Sequence, residues 1–533
     1  IKTRLRELVL ENPHRVTLVV APDSRLDQQR KERETARLQA IRADLDQSAI
    51  DNIRKLAQDL EDRQNQVDDV SILPKVGLAD IPKDVVTPAL TRLDIDEQTQ
   101  HFVGTAGTNG LVYQQIALKL PVLTPAQQER LPLLCALATE VGLGDTTYLE
   151  IQDRQSASVG SLSLSVSTRA SRSDVNDISG FLVMSSKALA HKVSDQTRLM
   201  TDTLTAASFV EADRVRELVK QIRARRDQSI SGAGHSLAMT AACASMSPLA
   251  NLYHRQSGLE GIARLRHLDD SLADPSSLRS LSEELTALRT HLLTTSSVNL
   301  LTVSDSQNCE AATNQLRSAA HGLTSAGNLQ PWSLSESAGG SNQIWAANTQ
   351  VNFCAKAYPT VSSGHPDAPT LSVLAAYLRN GFLHRSIREQ GGAYGGGASH
   401  DGNVGAFRFF SYRDPRNLET LSDFDASIDW VLSAEPDSLA LEEAILSVIS
   451  SLDKPASPSG EVKKAFYDGL YGRTADHKRE LRASIVSTTV EDLRRVTDTY
   501  LKPEVGCSVI LTDPKTAASQ ALVDLGWTHH DLA

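Results

Sequence analysis

Leu111-Val112-Tyr113-Gln114-Gln115-Ile116-Ala117-Leu118-Lys119-Leu120, followed by Thr124-Pro125-Ala126-Gln127, opens a pattern that this chain uses twice. The first segment reads as a strand. Thr124 and Gln127 form a capping box, and Pro125 takes the first helical position. Leu133, Leu134, Leu137 and Val141 then share one helix face, and Gly142 is predicted to end it. After a turn come Leu149 and Arg154. Ser161–Ser167 follows as an alternating strand with Leu162, Leu164 and Val166 on one face. The second copy keeps the order. Val351, Phe353, Ala355 and Ala357 alternate as a strand, and Pro369 opens a helix predicted to end at Asn380-Gly381. Leu383 and Arg388 lie 234 residues beyond Leu149 and Arg154, and Ala406–Tyr412 is read as the following strand. A repeat constrains a fold more than any single local assignment. Both units continue with helices and end near a strand. The fold class expected is α+β: repeated domains of antiparallel sheet with helices on one face.

The two ends of the chain carry a second likeness. Asp498–Pro514 is a helix end, a proline break and an apolar strand closed by a turn. Glu7–Asp23 has the same order, with Pro13, a strand at Val16–Val20 and then Pro22-Asp23. Residues 1–23 are therefore expected to be the end of a preceding α+β domain, with the rest of that copy upstream. From Ser24 to Asn65 the chain is rich in Arg, Asp, Glu, Gln, Leu and Ala and lacks Gly and Pro, which favours helix. A break near Asp46-Gln47-Ser48 would cap a second helix. The reading is a charged antiparallel helical hairpin, then an extended stretch Ile72–Pro88 with Pro74, Pro82 and Pro88. A coiled-coil arm fits less well, because the heptads are irregular. The expected domains are thus 1–23, a linker 24–95, a third α+β domain 96–333, and a fourth 334–533. The Ser- and Gly-containing stretch Ser333–Ser341 reads as a loop between the last two.

At 533 residues the chain exceeds a single core. A net charge of −11 argues against a general nucleic-acid binder. No apolar run reaches the length of a membrane-spanning helix. The five cysteines, Cys135, Cys243, Cys309, Cys354 and Cys507, are scattered and contain no CxxC. They read as buried thiols in a reducing compartment.

Metal spacing is absent: there is no His-x-x-Glu-His and no His-Glu-x-x-His. The pair His529-His530 falls in what reads as a frayed tail. The chain is not expected to build a catalytic zinc site, which needs three protein ligands. No nucleophile elbow or phosphate loop occurs. The basic run Lys220–Arg226 lies on a helical pattern and reads as a solvated face. What remains is Arg388-Glu389-Gln390-Gly391-Gly392-Ala393-Tyr394-Gly395-Gly396-Gly397. Glycines let a backbone approach a ligand closely, so Gly391, Gly392, Gly395 and Gly396 are candidate substrate-binding positions. Arg388 and Tyr394 are donors able to hold a carbonyl oxygen and the negative charge that develops on it. They supply neither nucleophile nor base, so they suit the assisting half of a site. An ordinary turn with a structural Arg and a packed Tyr is the competing reading.

These residues, with Phe407–Pro415, Asn109–Gln115 and Ile72–Leu78, resemble the C-terminal half of the presequence protease branch of the pitrilysin/insulinase zinc metallopeptidases. The resemblance covers the whole chain. It implies four related α+β domains in two halves, joined by a helical hairpin and closing like a clamshell on an unstructured peptide. It places the zinc ligands and the catalytic base on the N-terminal half. It assigns Arg388 and Tyr394 to the scissile carbonyl, with the chain's own N-terminal half as partner, no membrane or nucleic acid, and a monomer at full length. It implies bacterial cytoplasm, or a mitochondrial matrix or chloroplast stroma. Relatives of such peptidases also exist as non-catalytic peptide-binding or structural subunits, and that reading stays open here.

Overall fold

A computed structural model describes the chain except residues 22, 24, 66–71, 73, 84–86, 97, 294–296, 324–331, 335–339, 434, 436 and 533. It divides into two compact units, Ile1–Val76 and Gly77–Ala533.

The first unit contains a short N-terminal helical stretch (Lys2–Leu5, continuing to Leu10) and two longer helices, α1 (Leu26–Asp44) and α2 (Gln47–Asn65). The break falls where the sequence places it: Asp46 Oδ1 accepts from the Ala49 amide at 2.7 Å and starts α2. The predicted packing of a hairpin is not seen. Leu38, Ile41, Ile53, Leu56 and Leu60 all stay exposed, so neither helix buries an apolar face. The strand expected at Val16–Val20 also does not form. Val16, Leu18, Val19 and Val20 are more than 80% exposed, because an extended segment becomes a strand only when another pairs with it.

The second unit holds two six-stranded sheets. The first comprises β1 (Thr91–Asp94), β2 (Thr99–Thr105), β3 (Leu111–Lys119), β4 (Ser161–Ala170), β5 (Ile178–Leu189) and β6 (Val298–Ser304), in the order β1-β2-β6-β3-β5-β4. The second comprises β7 (Gln343–Ala347), β8 (Phe353–Pro359), β9 (Gly395–Asp401), β10 (Ala406–Tyr412), β11 (Cys507–Thr512) and β12 (Thr528–Leu532), in the order β9-β10-β8-β11-β7-β12. The strands β2, β3, β4, β5 and β6 correspond in order and direction to β7, β8, β9, β10 and β11, each set having one parallel pair and three antiparallel ones. The repeat is real, but one alignment within it shifts. The counterpart of β4 is the glycine-rich β9, not Ala406–Tyr412, which corresponds to β5. The first sheet begins at Thr91, before the boundary expected at residue 96. The loop expected at Ser333–Ser341 lies mostly outside the described residues.

Helices cover the sheets as binary patterning demands. In the first copy these include α3 (Pro125–Ala138) and α4 (Tyr148–Ser158). Thr124 and Gln127 close the capping box reciprocally. Gly142 does not end α3, which stops at Ala138; instead Gly142 pairs with Ser208 in a short two-stranded ladder. Two further helices cross between lobes. The long α5 (Ala212–Cys243) lies on the second sheet, where Leu237, Ala238 and Ala241 join Phe353, Ala355, Val509 and Leu511 in one core. The opposite face of that sheet, with Cys354, Tyr358, Phe407, Phe409 and Ile510, packs on α6 (Ala368–Leu378) and the helices Leu418–Ser433 and Val490–Tyr500. Conversely α7 (Pro458–Leu470) lays Val462 and Phe466 against Ala117, Val183, Leu301 and Val303 of the first sheet. Each lobe thus lends a helix to the other.

The chain's last strand, β12, pairs in parallel with β7, and the His530 ring stacks on Trp345 at 4.1 Å. The predicted frayed tail is therefore ordered, because Trp345 offers an aromatic face. The basic run is not a free solvated face either: Arg223 pairs with Asp269 and Asp270 at 2.8 and 2.6 Å, and half-buried Arg226 reaches the Ser257 carbonyl. All five cysteines are free thiols, four of them buried; burial pushes the Cys135 and Cys243 thiols up to about 12.

Candidate functional site

The helix that carries Arg388 is longer than its sequence suggests. Asn380-Gly381 does not stop it; α6 runs on as a π-helix, Arg379–Gln390. Gly381 serves close packing, since a Cβ there would stand 2.5 Å from the Trp430 ring. Widened helical turns of this kind frequently occur at functional sites. Arg388 therefore sits in the last turn of a helix, not within the glycine turn.

The connector is Gly391–Tyr394, and it is tightly determined. The Gly391 amide donates to the Ser386 carbonyl at 2.9 Å, and Gly392 adopts φ +79°, which L side chains resist. Arg416 clamps the helix end: its Nη2 donates to Asp423 Oδ2 at 2.8 Å and to the Ser386 carbonyl. A Cβ on Gly391 would collide with that guanidinium, and one on Gly396 would meet Ile387 at 2.8 Å. Gly395 alone of the four candidate glycines has nothing within 4 Å and a backbone conformation that does not require glycine. Gly391 and Gly396 thus answer to internal packing and Gly392 to its left-handed backbone; of the four, only Gly395 leaves open space over its backbone.

Tyr394 leads into β9, an edge strand. Its amide donates to the Arg413 carbonyl at 3.3 Å. Arg413 itself is held at φ +50° beside the buried Asp414, whose carboxylate accepts from Thr420 Oγ1 and the Arg416 amide. The Tyr394 side chain is 66% exposed, unusual for a large aromatic residue. Its ring meets Tyr412 edge-on at 5.6 Å, and the Arg388 guanidinium lies 5.8 Å from its centre. The two predicted residues are thus brought together on one exposed face.

Three neighbours escaped the sequence reading. Tyr412 lies beneath Tyr394, Arg413 stands 5.4 Å from the Tyr412 ring, and His235 of α5 contacts that ring at 4.8 Å. Burial holds the His235 imidazole below its ordinary value. Only the alternation of β10, with Tyr412 at its end, could have signalled this. The first copy supplies a comparison: Arg154, the counterpart of Arg388, lies 3.5 Å from Asp202. Among the described residues Arg388 has no carboxylate partner. The histidine nearest in sequence, His384, faces Glu389 at 3.4 Å, and both are half-exposed. Among the described residues no three His, Cys, Asp or Glu groups converge to hold a metal ion, so the donor set here does not fit a zinc site.

The chain thus carries two sheets of one repeated topology, which exchange helices, and an Arg–Tyr pair at the edge of the second. Residues 20–268 match the family described as associated with peptidase M16, subfamily C, and residues 342–512 match the PreP C-terminal domain. The chain belongs to the presequence protease branch of the M16 peptidases. It is 26% identical to the mitochondrial presequence protease of Xenopus laevis over 94% of this chain and 51% of that one. It is 25% identical to presequence protease 1, chloroplastic/mitochondrial, of Arabidopsis thaliana, over 92% and 45%. The chain therefore spans about half the length of the curated relatives it matches. In fold it is similar to a protease from Helicobacter pylori (TM-score 0.58, 13% identity, covering 80% of this chain and 100% of that one). It is similar also to a peptidase M16 inactive domain from Pseudomonas fluorescens (0.56, 14%, covering 80% and 98%).

Proposed function

We propose that this chain is the carbonyl-binding half of a zinc metalloendopeptidase that degrades unstructured peptides such as targeting presequences. The observation that carries this reading is the pairing of an exposed Tyr394 ring with an Arg388 guanidinium that has no carboxylate partner among the described residues. Arginine left unpaired beside a phenol is what a developing oxyanion requires. Zinc and the base that activates water would be supplied by the N-terminal half of the enzyme. In this chain, Tyr394 Oη and Arg388 donate to the scissile carbonyl oxygen, and the fixed Gly391–Tyr394 connector holds both donors in place. Gly395 leaves room for a substrate backbone to run along the edge strand.

Loss of one oxyanion donor costs about 10²–10³ in rate. In the full-length enzyme, Tyr394→Phe is expected to lower kcat by about that factor on an unstructured peptide, with bound metal unchanged. Undiminished turnover would remove Tyr394 from the chemistry and leave the chain as a peptide-binding or structural subunit.

A further inference from the structure

A cavity of about 250 Å³ lies where the two lobes meet. Its wall combines the turn between β4 and β5, which carries Arg172, with the end of α7, the helix α8 (Ala475–Val486) and Thr87-Pro88. The carboxylates in this wall are already engaged. Asp453 pairs with Arg482, Asp468 with Lys478 at 2.5 Å, and Glu461 accepts from the Ala456 amide. Two cations remain. Among the described residues, neither Arg172 nor Arg473 has a carboxylate within ion-pair distance.

Both arginines stand on fixed backbone. The Arg172 carbonyl accepts from Gly364 N at 2.8 Å and Ser362 Oγ at 2.7 Å, which ties that turn to the second lobe. The Arg473 amide donates to the Asp468 carbonyl at 2.7 Å, and adjacent Tyr471 Oη meets Ser167 Oγ at 2.8 Å. Burial first, then the like charge of Arg169, hold the Arg473 guanidinium below its ordinary value; Asp468 opposes this and Arg172 adds to it. Holding like charges together at a partly desolvated place costs stability and is characteristic of a site built for an anion. Leu452, Leu481 and Pro88 give the same cavity an apolar side.

We propose that this cavity binds a small organic oxyanion, a phosphate or carboxylate bearing an apolar group, gripped by the planar forks of Arg172 and Arg473. The site shares no residue with the Arg388–Tyr394 cluster. Because its wall draws on both lobes, a bound anion joins them.

Thermal unfolding of the full chain, titrated with phenyl phosphate, benzoate or inorganic phosphate at constant ionic strength, tests this. The expected result is a saturable rise in midpoint with phenyl phosphate or benzoate; whichever acts identifies the oxyanion. Inorganic phosphate should act more weakly, because it lacks the apolar group. Arg172→Gln and Arg473→Gln should each raise the half-saturating concentration roughly tenfold. Arg479→Gln, at an exposed arginine on α8 paired with Asp476, should leave it unchanged. No saturable rise with either organic anion would overturn the proposal. So would an equal response in the Arg172 and Arg473 variants, or an Arg479 variant as impaired as they are.

Discussion

Arg154 and Arg388 occupy equivalent places in the two copies, yet one is matched by Asp202 and the other faces solvent beside Tyr394. The difference was legible as a divergence in sequence, because only the second copy carries the tyrosine and the glycines. What each glycine does was not legible. Gly391 packs against Arg416, a contact set by the return of the chain through β9 and β10. Gly391→Ala must displace a guanidinium that bonds Asp423 and Ser386, and overpacking of this kind costs about 1–3 kcal/mol. Gly395→Ala meets open space, so stability should stay within about 0.5 kcal/mol. Denaturant midpoints of the two variants should separate accordingly. If Gly395 is where substrate backbone passes, its variant should also lose turnover in the full enzyme while keeping that midpoint. A Gly391 variant as stable as the parent would show that the Arg416 clamp does not hold the connector.

Elements whose apolar residues keep a period were readable. Elements defined by their partners were not. β3, β10 and the capped start of α3 follow from alternation and from Thr124 and Gln127. β9 was missed because glycine is depleted in strands, and its strand character comes from pairing with β10. Val16–Val20 shows the converse: strong β residues stay unpaired without a neighbouring strand. The helix α5 shows a third case, where glycine looks unfavourable until its neighbour is known. A Gly→Ala change inside a helix commonly gains about 0.5–1 kcal/mol. Gly232, one residue before a kink at Ala233, meets nothing within 4 Å, and Ala there should not lose stability. At Gly234 a Cβ would stand 2.5 Å from Phe353 Cδ2, and Phe353 is fully buried. Gly234→Ala should instead lose about 1–3 kcal/mol. Parallel thermal melts of the two variants check the contrast; a stabilised Gly234→Ala would mean that α5 does not need its close approach to the second sheet.

The exchange of α5 and α7 decides how residues 77–533 behave as a whole. The sequence places one α+β domain on either side of residue 333. The structure ties the two together, because each sheet has a face against which a helix of the other lobe packs. Removing either helix would expose an apolar sheet face, so neither lobe can unfold without leaving the other with an uncovered core. Phe466 is the sharpest probe. It belongs to the second lobe by sequence, is fully buried, and meets Phe102 of β2 at 5.3 Å. Phe466→Ala should cost about 3–5 kcal/mol. That loss should appear in both sheets: calorimetry should show one transition for this unit, shifted down. Exchange of the slow amides at Leu300 in the first sheet and Ile510 in the second should accelerate together. If Leu300 exchanges faster while Ile510 keeps its protection, the lobes are separate folding units and the exchanged helices are only a packing detail. If both accelerate, the cavity shared by Arg172 and Arg473 and the rigid placement of Tyr394 rest on the same cooperative body.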